Sequence, residues 1–398
     1  MFEKQPIVFI LGGGFGGLYT ALRLSQLPWD NSPKPKITVV DRNDRFVFYP
    51  LLYELLTGEL QTWEIAPPFV ELLRNTGVIF HQGVVSNINL QEKRVKFQDN
   101  LEVSCDRLVL ALGGKTPTKS IPGVTSHAYT FRTINDVYQL EKQLQLLTES
   151  NTEKIRVVIV GGGYSGVELA CKLADRLGDR GRLRLVEVSD FILCNSPDHN
   201  RKAATRALEA RKVFIDVNTK VKSITQDSIT LEYKGTTDTI PVELVIWTIG
   251  NEVSPVIQSL DCQQNQQGQK IVVSPTLQLV EYPHIFALGD IAELINTDGK
   301  DFPATAQVAF QQSDYAAWNI WATLTNRPLL PFQYQNLGEM MTLGIDNATL
   351  TSLGFNLKGP LASLARSLAY LYRMPTLEHK LKVGVNWLAR PIIDILQR

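Results

Sequence analysis

The chain is poor in the features that would make its chemistry obvious from single residues. It has 4 cysteines and 5 histidines in 398 residues. Cys105, Cys171, Cys194 and Cys262 are scattered, with no C-x-x-C pair and no histidine at metal-ligand spacing. That excludes a disulfide framework and a zinc site, predicts no metal, and points to a reducing compartment. Net charge is absent as well. Forty basic residues balance 40 acidic ones, so no global field draws the chain to nucleic acid. Nor is there a run of about 18 or more apolar residues, the length a helix needs to span a bilayer. Met1 to Pro6 is short and polar and enters an apolar run at once, which predicts no cleavable leader. What remains, 44% hydrophobic and 20% charged residues, suits a globular protein of two or three domains.

Against this plain background stands a duplicated glycine pattern. Gly12-Gly13-Gly14-Phe15-Gly16-Gly17 follows the apolar run Ile7 to Leu11, and Gly161-Gly162-Gly163-Tyr164-Ser165-Gly166 follows Val157 to Val160. Each reads G-x-G-x-x-G and leads into a segment rich in alanine and leucine. Such a turn lets backbone N–H groups and a helix N-terminus approach a pyrophosphate without a Cβ in the way. Each copy is followed by a second apolar run ending in an acid, Asp41 after Ile37 to Val40 and Glu187 after Leu183 to Val186. Both acids lie roughly 20–25 residues past the last glycine, where a βαβ unit puts the group that binds an adenosine ribose. One fingerprint is weak evidence. The whole unit, twice over, predicts an α/β protein with two Rossmann-like dinucleotide-binding domains.

Three more apolar runs end in glycine, at Gly113, Gly250 and Gly289 with Asp290, and fit central parallel strands buried on both faces. Ile121-Pro122-Gly123-Val124 reads as a turn between modules, Thr219 to Thr239 as an antiparallel meander, and Asp261 to Gly268 as a glutamine-rich loop. The simplest layout inserts one module in the other. Residues 1–118 and 253–330 form the first, 119–252 the second, and 331–398 a hairpin followed by two helices.

These segments together resemble the type II NAD(P)H:quinone oxidoreductases, two-domain flavoproteins of the glutathione-reductase type. The likeness covers nearly the whole chain. It rests on Gly12 to Gly17 with Asp41, on Phe48-Tyr49-Pro50-Leu51-Leu52-Tyr53 with Gly58, and on Gly161 to Gly166 with Glu168. Trp247 to Gly250, Leu288-Gly289-Asp290, Pro303 to Gln312 and Pro331-Phe332-Gln333-Tyr334 extend it, the Ala-Gln-x-x-x-Gln-Gln segment within Pro303 to Gln312 being its most specific part. The resemblance implies FAD in the first module, NADH or NADPH as substrate in the second, and a lipid-soluble quinone as acceptor, without proton pumping. It assigns Gly12, Gly14, Phe15, Gly17, Asp41, Arg42, Pro50, Val85, Ala111, Gly113, Gly289, Asp290 and Ala306 to FAD. Gly161, Gly163, Gly166, Glu187 and Gly250 go to the nicotinamide nucleotide. Glu168, Gln307 and Gln311 become the catalytic set, with Gln307 also bordering the flavin ring.

One departure stands out. The family's Asp-Lys-Gly is Asn336-Leu337-Gly338 here, so a cation is missing. The following Glu339-Met340-Met341-Thr342-Leu343-Gly344 resembles the cyanobacterial and plastid branch, which includes demethylphylloquinone reductases, and carries the expected acceptor toward a prenylated naphthoquinone, with plastoquinone as the other candidate. Glu187 favours a ribose 2′-OH and hence NADH, whereas Arg182, Arg184 and Arg201 nearby would suit a 2′-phosphate. Both nucleotides stay open.

In the tail, Leu361, Leu364, Ala365, Leu368 and Leu371, then Leu381, Val385 and Leu388, recur at helix-face spacing. Arg366 and Arg373, then Lys382, Asn386 and Arg390, take the other side, with Trp387 at the border. Residues 361–398 hold six basic and two acidic residues, Asp394 and Arg398 among them. Such a basic amphipathic pair suits an anionic lipid interface, and the resemblance implies monotopic attachment to the cytoplasmic face of a bacterial membrane, while allowing a homodimer. Packing against the rest of the chain is the competing use of these helices. Three further readings remain: a sulfide:quinone oxidoreductase, which needs flavin-proximal cysteines, a ferredoxin-type reductase, and a redox-sensing flavoprotein of low turnover.

Overall fold

The computed structural model describes residues 5–396 except 31, 151, 266–269, 296–298, 300 and 353, with side chains described as far as 390. Two compact units emerge. One comprises 1–47, 66–115 and 251–335, and the other 48–65, 116–250 and 336–398.

The first unit is built on a five-stranded sheet in the order Ile285–Ala287, Arg107–Leu110, Ile7–Leu11, Lys36–Asp41, Ile79–Gln82, every pairing parallel. The fingerprint strand Ile7–Leu11 is central because its residues can be buried on both faces, and Val8, Ile10 and Leu11 are fully enclosed. The helix that follows, Phe15–Gln26, packs along Ala306–Thr325. A three-stranded antiparallel meander, Val85–Asn89, Arg94–Phe97 and Glu102–Ser104, also belongs to this unit, and the sequence does not announce it. Its strands are short and mostly polar, with only Ile88, Val95 and Phe97 turned inward, so their period-2 signal is faint.

The second unit repeats the plan. Phe214–Asp216, Gly181–Val186, Ile155–Val160, Leu244–Trp247 and Tyr129–Thr130 form a parallel sheet in that order. The meander expected at 219–239 is present as Thr219–Ile224, Ser228–Tyr233 and Thr236–Pro241. Its inward residues Val221, Ile224, Ile229 and Leu231 join Val158, Val160, Val186, Val245 and Trp247 in one apolar core. Both parallel sheets thus hold a fingerprint strand flanked by an acid-ending strand on one side and a glycine-ending strand on the other.

The tail hairpin carries a third strand: Glu339–Thr342, Ala348–Ser352 and Phe355–Gly359 form one antiparallel sheet. Ala348 and Leu350 pack on Ala362 of the penultimate helix, Pro360–Arg373, which precedes the last helix, Leu377–Leu396. The grouping differs from the sequence division at 48–65, which clusters with the second unit because buried carboxylates hold it there. Glu54 takes the Arg366 guanidinium, and Glu64 accepts from Asn386 Nδ2 at 3.0 Å and Trp387 Nε1 at 2.8 Å. Pro50, expected beside FAD, therefore falls in the second unit. Among the described residues no helix is long and apolar enough to cross a membrane.

Candidate functional site

The two fingerprints fold into the same kind of turn. Gly12 and Gly161 take φ of +103° and +113°, a conformation L side chains avoid, and donate to the carbonyls of Val40 and Val186 at 2.7 and 2.8 Å. The third glycines, Gly17 and Gly166, could not carry a Cβ, which would lie 1.8 Å from the carbonyl oxygen of Gly12 or Gly161. The middle glycines differ. Gly14 and Gly163 have ordinary φ of −75° and −78°, stand at the helix N-caps with no side-chain cap, and a Cβ on either would meet nothing within 4 Å. Open space in front of a helix N-terminus, faced by first-turn N–H groups without intrahelical partners, is what a pyrophosphate requires.

Each turn is tied to its acid. Gly13 N donates to Asp41 Oδ2 at 2.8 Å and Gly162 N to Glu187 Oε2 at 2.6 Å. The other oxygens accept from Asn43 N and Ser189 N, both at 2.8 Å. A carboxylate accepts about four hydrogen bonds, so lone pairs remain for ribose hydroxyls.

Around the first turn, Ala111 packs under Gly12, and Phe15 is buried against Tyr19 and Phe46. Gly113 is open, Arg42 is exposed, and Val85 begins the meander opposite Phe97. Gly289 has φ of +74°, and its N–H donates to Gln312 Oε1 at 2.7 Å. Asp290 accepts from Asn251 Nδ2 at 2.9 Å. Gln312 escaped the sequence reading although it lies within the Ala-Gln-x-x-x-Gln-Gln segment, because only its burial, at 2% exposure, marks it. Ala306 opens the helix capped by Thr305. Gln307 Oε1 accepts from Tyr334 OH at 3.0 Å, while Gln311 clamps the backbone of Gln335 through both amide atoms, at 2.8 and 2.9 Å. Gln311 is thus largely occupied in holding the strand-free segment after Pro331. In the second unit, a Cβ on Gly250, whose φ is +87°, would press on Pro117.

Glu168 is a buried carboxylate on the second fingerprint helix, Tyr164–Leu177. Thr342 N donates to its Oε1 at 2.9 Å, and Arg366 Nη2 lies 3.9 Å away. Desolvation wins over both and pushes its carboxyl up to about 7. The four cysteines are unpaired. Burial pushes the Cys105 and Cys171 thiols up to about 12, so neither is a nucleophile at neutral pH.

The helical spacing places Arg366 on the solvent side of the tail, and the structure does not. Arg366 points inward at 3% exposure, because Glu54 supplies the counter-charge that lets a guanidinium leave water. What faces outward is apolar: Leu361, Leu364, Leu368 and Tyr372, then Leu377, Leu381, Val385 and Leu388. Asp394 and Arg398 lie outside the described side chains.

Residues 6–313 match the family model described as pyridine nucleotide-disulphide oxidoreductase. The chain is 52% identical to the demethylphylloquinone reductase NdbB of Synechocystis sp., with 100% of this chain and 99% of the relative covered. The chain belongs to this family, among the type II NAD(P)H:quinone oxidoreductases. It is also 42% identical to the alternative NAD(P)H-ubiquinone oxidoreductase C1 of Arabidopsis thaliana, over 98% of this chain and 82% of the relative. The solved structure of NDH2 from Plasmodium falciparum in complex with NADH shares the fold, with a TM-score of 0.86 at 18% identity, covering 97% of this chain and 98% of that one. As a type II NAD(P)H:quinone oxidoreductase the chain works with FAD and NAD(P)H. The disulfide of the wider family's name has no counterpart among its four free thiols.

Proposed function

We propose that this enzyme reduces a prenylated naphthoquinone with NADH at a lipid surface. The full-length likeness to a demethylphylloquinone reductase carries the choice of quinone. A panel of substrates tests it. Naphthoquinones are expected to exceed benzoquinones in kcat/KM by about tenfold, the effect of roughly 1.4 kcal/mol in transition-state binding. Equal or inverted values would count against this substrate class.

In this reading the first unit holds FAD. Gly12, Gly14, Phe15 and Gly17 form the pyrophosphate turn, Asp41 takes the ribose, and Arg42 and Val85 border the adenine. Ala111, Gly113, Gly289, Asp290, Ala306 and Gln307 line the flavin end, and Gln311 holds the adjoining segment in place. Gly161, Gly163, Gly166, Glu187 and Gly250 hold the nicotinamide nucleotide. Bound FAD supplies hydride acceptance from the nicotinamide and two-electron delivery to the quinone.

The arginines near Glu187 favour NADH over NADPH by being engaged elsewhere. Arg184 pairs with Asp216 at 2.5 Å, Arg201 pairs with Asp198 and lies over Phe191, and Arg182 donates to backbone carbonyls. The Glu187 carboxylate would repel a 2′-phosphate. Glu187→Gln is expected to raise the NADPH/NADH ratio of kcat/KM by about tenfold or more, since one charge repulsion of about 1.4 kcal/mol is removed. Steady-state kinetics with both nucleotides reads this directly.

Quinone reduction by NADH consumes one proton beyond the hydride. Glu168, with its carboxyl near 7, is half protonated at neutral pH and suits the task of proton donor. Its protonated form is lost as pH rises through 7, so quinone turnover should fall on that side. Glu168→Gln should abolish this limb while leaving flavin reduction by NADH within about threefold. An unchanged pH profile would leave Glu168 a purely structural group.

The outward apolar faces of the last two helices support attachment to a membrane from one side, on the cytoplasmic face where NADH is available.

A further inference from the structure

A closed group of ionisable side chains lies behind the penultimate helix. Arg366 Nη1 donates to Glu54 Oε1 at 2.6 Å, and Nη2 donates to the carbonyl of Pro50. Lys172, one turn beyond Glu168 on the second fingerprint helix, is 1% exposed and pairs with Glu59, with Glu54 Oε1 3.8 Å away. Three carboxylates, Glu54, Glu59 and Glu168, therefore face two cations. The arrangement is incompletely satisfied, for Glu54 Oε2 and Arg366 Nε are buried without a hydrogen-bond partner. Polar atoms left that way cost free energy, and a cluster short of one positive charge is eased when one carboxyl holds a proton.

We infer that Arg366 is a positioning residue for the quinone half of the reaction, fixing the protonation of Glu168 through its placement between Glu168 and Glu54. Among the described residues it is the one cation paired with Glu168 within 4 Å. Of the other groups that face Glu168, Glu54 opposes its ionisation as a like charge, whereas the Tyr53 hydroxyl and the Thr342 N–H favour it by hydrogen bonding. Glu54 and Tyr53 come from the 3-10 helix Tyr49–Leu55, Tyr370 from the penultimate helix, and Tyr164 and Cys171 from Glu168's own helix. Thr342 contributes a backbone N–H. A guanidinium this close holds a carboxyl down by about 1 to 3 pH units, so the balance between Arg366 and burial decides whether Glu168 releases its proton at working pH. Lysine could keep the charge, but it could not serve Glu54 and Pro50 together with a planar fork.

This inference rests on Glu168 being the proton donor, and the experiment separates the two. Holoenzyme turnover with a water-soluble naphthoquinone is followed against pH, alongside stopped-flow flavin reduction by NADH. In Arg366→Gln the alkaline midpoint should rise by about one pH unit or more, while the NADH half-reaction keeps its rate. Arg366→Lys should restore most of the midpoint. Glu54→Gln should move it the opposite way, downward, since a like charge is removed and the guanidinium is freed toward Glu168. A flavin-loaded Arg366→Gln with the wild-type midpoint overturns the inference. Where Arg366→Gln fails to fold, Glu54→Gln decides, and an unmoved or raised midpoint there also overturns it. Should Glu168→Gln itself keep the wild-type midpoint, the donor assignment fails first and Arg366 falls with it.

Discussion

Gly163→Val should give a yellow protein, fully loaded with FAD, whose flavin NADH no longer reduces at a useful rate. The backbone at Gly163 has φ of −78°, which valine accepts, and no protein atom would contact a new Cβ within 4 Å. The fold therefore loses little beyond an N-cap preference of about 1 kcal/mol. What valine occupies is the space in front of the second helix N-terminus, where the nucleotide's pyrophosphate must approach the backbone. A displaced nicotinamide costs on the order of 100-fold or more in the hydride step. Gly14→Val is the mirror experiment. It should fold, with the same far-ultraviolet circular dichroism, yet purify colourless. Visible absorbance and stopped-flow bleaching at the flavin band distinguish the four outcomes. A yellow, reducible Gly14→Val would contradict the assignment of the first turn to FAD, and a freely reducible Gly163→Val that of the second to the nicotinamide nucleotide.

Glutamate placed on the outward stripe of the tail should remove the enzyme from lipid vesicles without disturbing turnover of a water-soluble quinone. Leu364, Leu368 and Leu381 are 59%, 56% and 60% exposed, so none contributes much to the core. Burying a leucine in an apolar phase is worth about 1.5–3 kcal/mol. Losing three of them and adding three charges should weaken vesicle binding by at least about 1,000-fold. Co-sedimentation of Leu364→Glu/Leu368→Glu/Leu381→Glu with anionic vesicles measures this. A variant that still binds would show that the stripe is not the lipid contact. A wild-type dimer that dissociates in the variant would instead assign the stripe to a second copy of this chain.

The geometry of the two glycine turns was legible because it is local. The open space at Gly14 and Gly163, the positive φ of Gly12 and Gly161, and the tie to Asp41 or Glu187 depend on segments whose spacing a βαβ unit dictates. The tail was legible only in half. Leucines at helical spacing announced an apolar face, and that face is indeed the exposed one at Leu361, Leu364 and Leu368. The same periodicity assigned Arg366 to solvent, since charge on a helix is usually hydrated. Nothing near it in the chain announces Glu54, more than 300 residues earlier. The grouping of 48–65 with the second unit was not legible for the same reason, Glu54 and Glu64 being indistinguishable from ordinary surface acids until their partners arrive. Gln312 reads as the twin of Gln311, yet one hundred degrees of helix rotation turns it toward Gly289 and buries it.

Sequence alone determined that this chain carries two dinucleotide turns, no dithiol and an apolar-faced tail, because glycine conformation, strand burial and helix period are properties of neighbouring residues. Tertiary structure alone decided that Glu168 is buried near Arg366, which Glu54 in turn holds. A carboxyl's affinity for its proton depends on the water it has lost and the charges that replaced it, and those come from chain segments far apart.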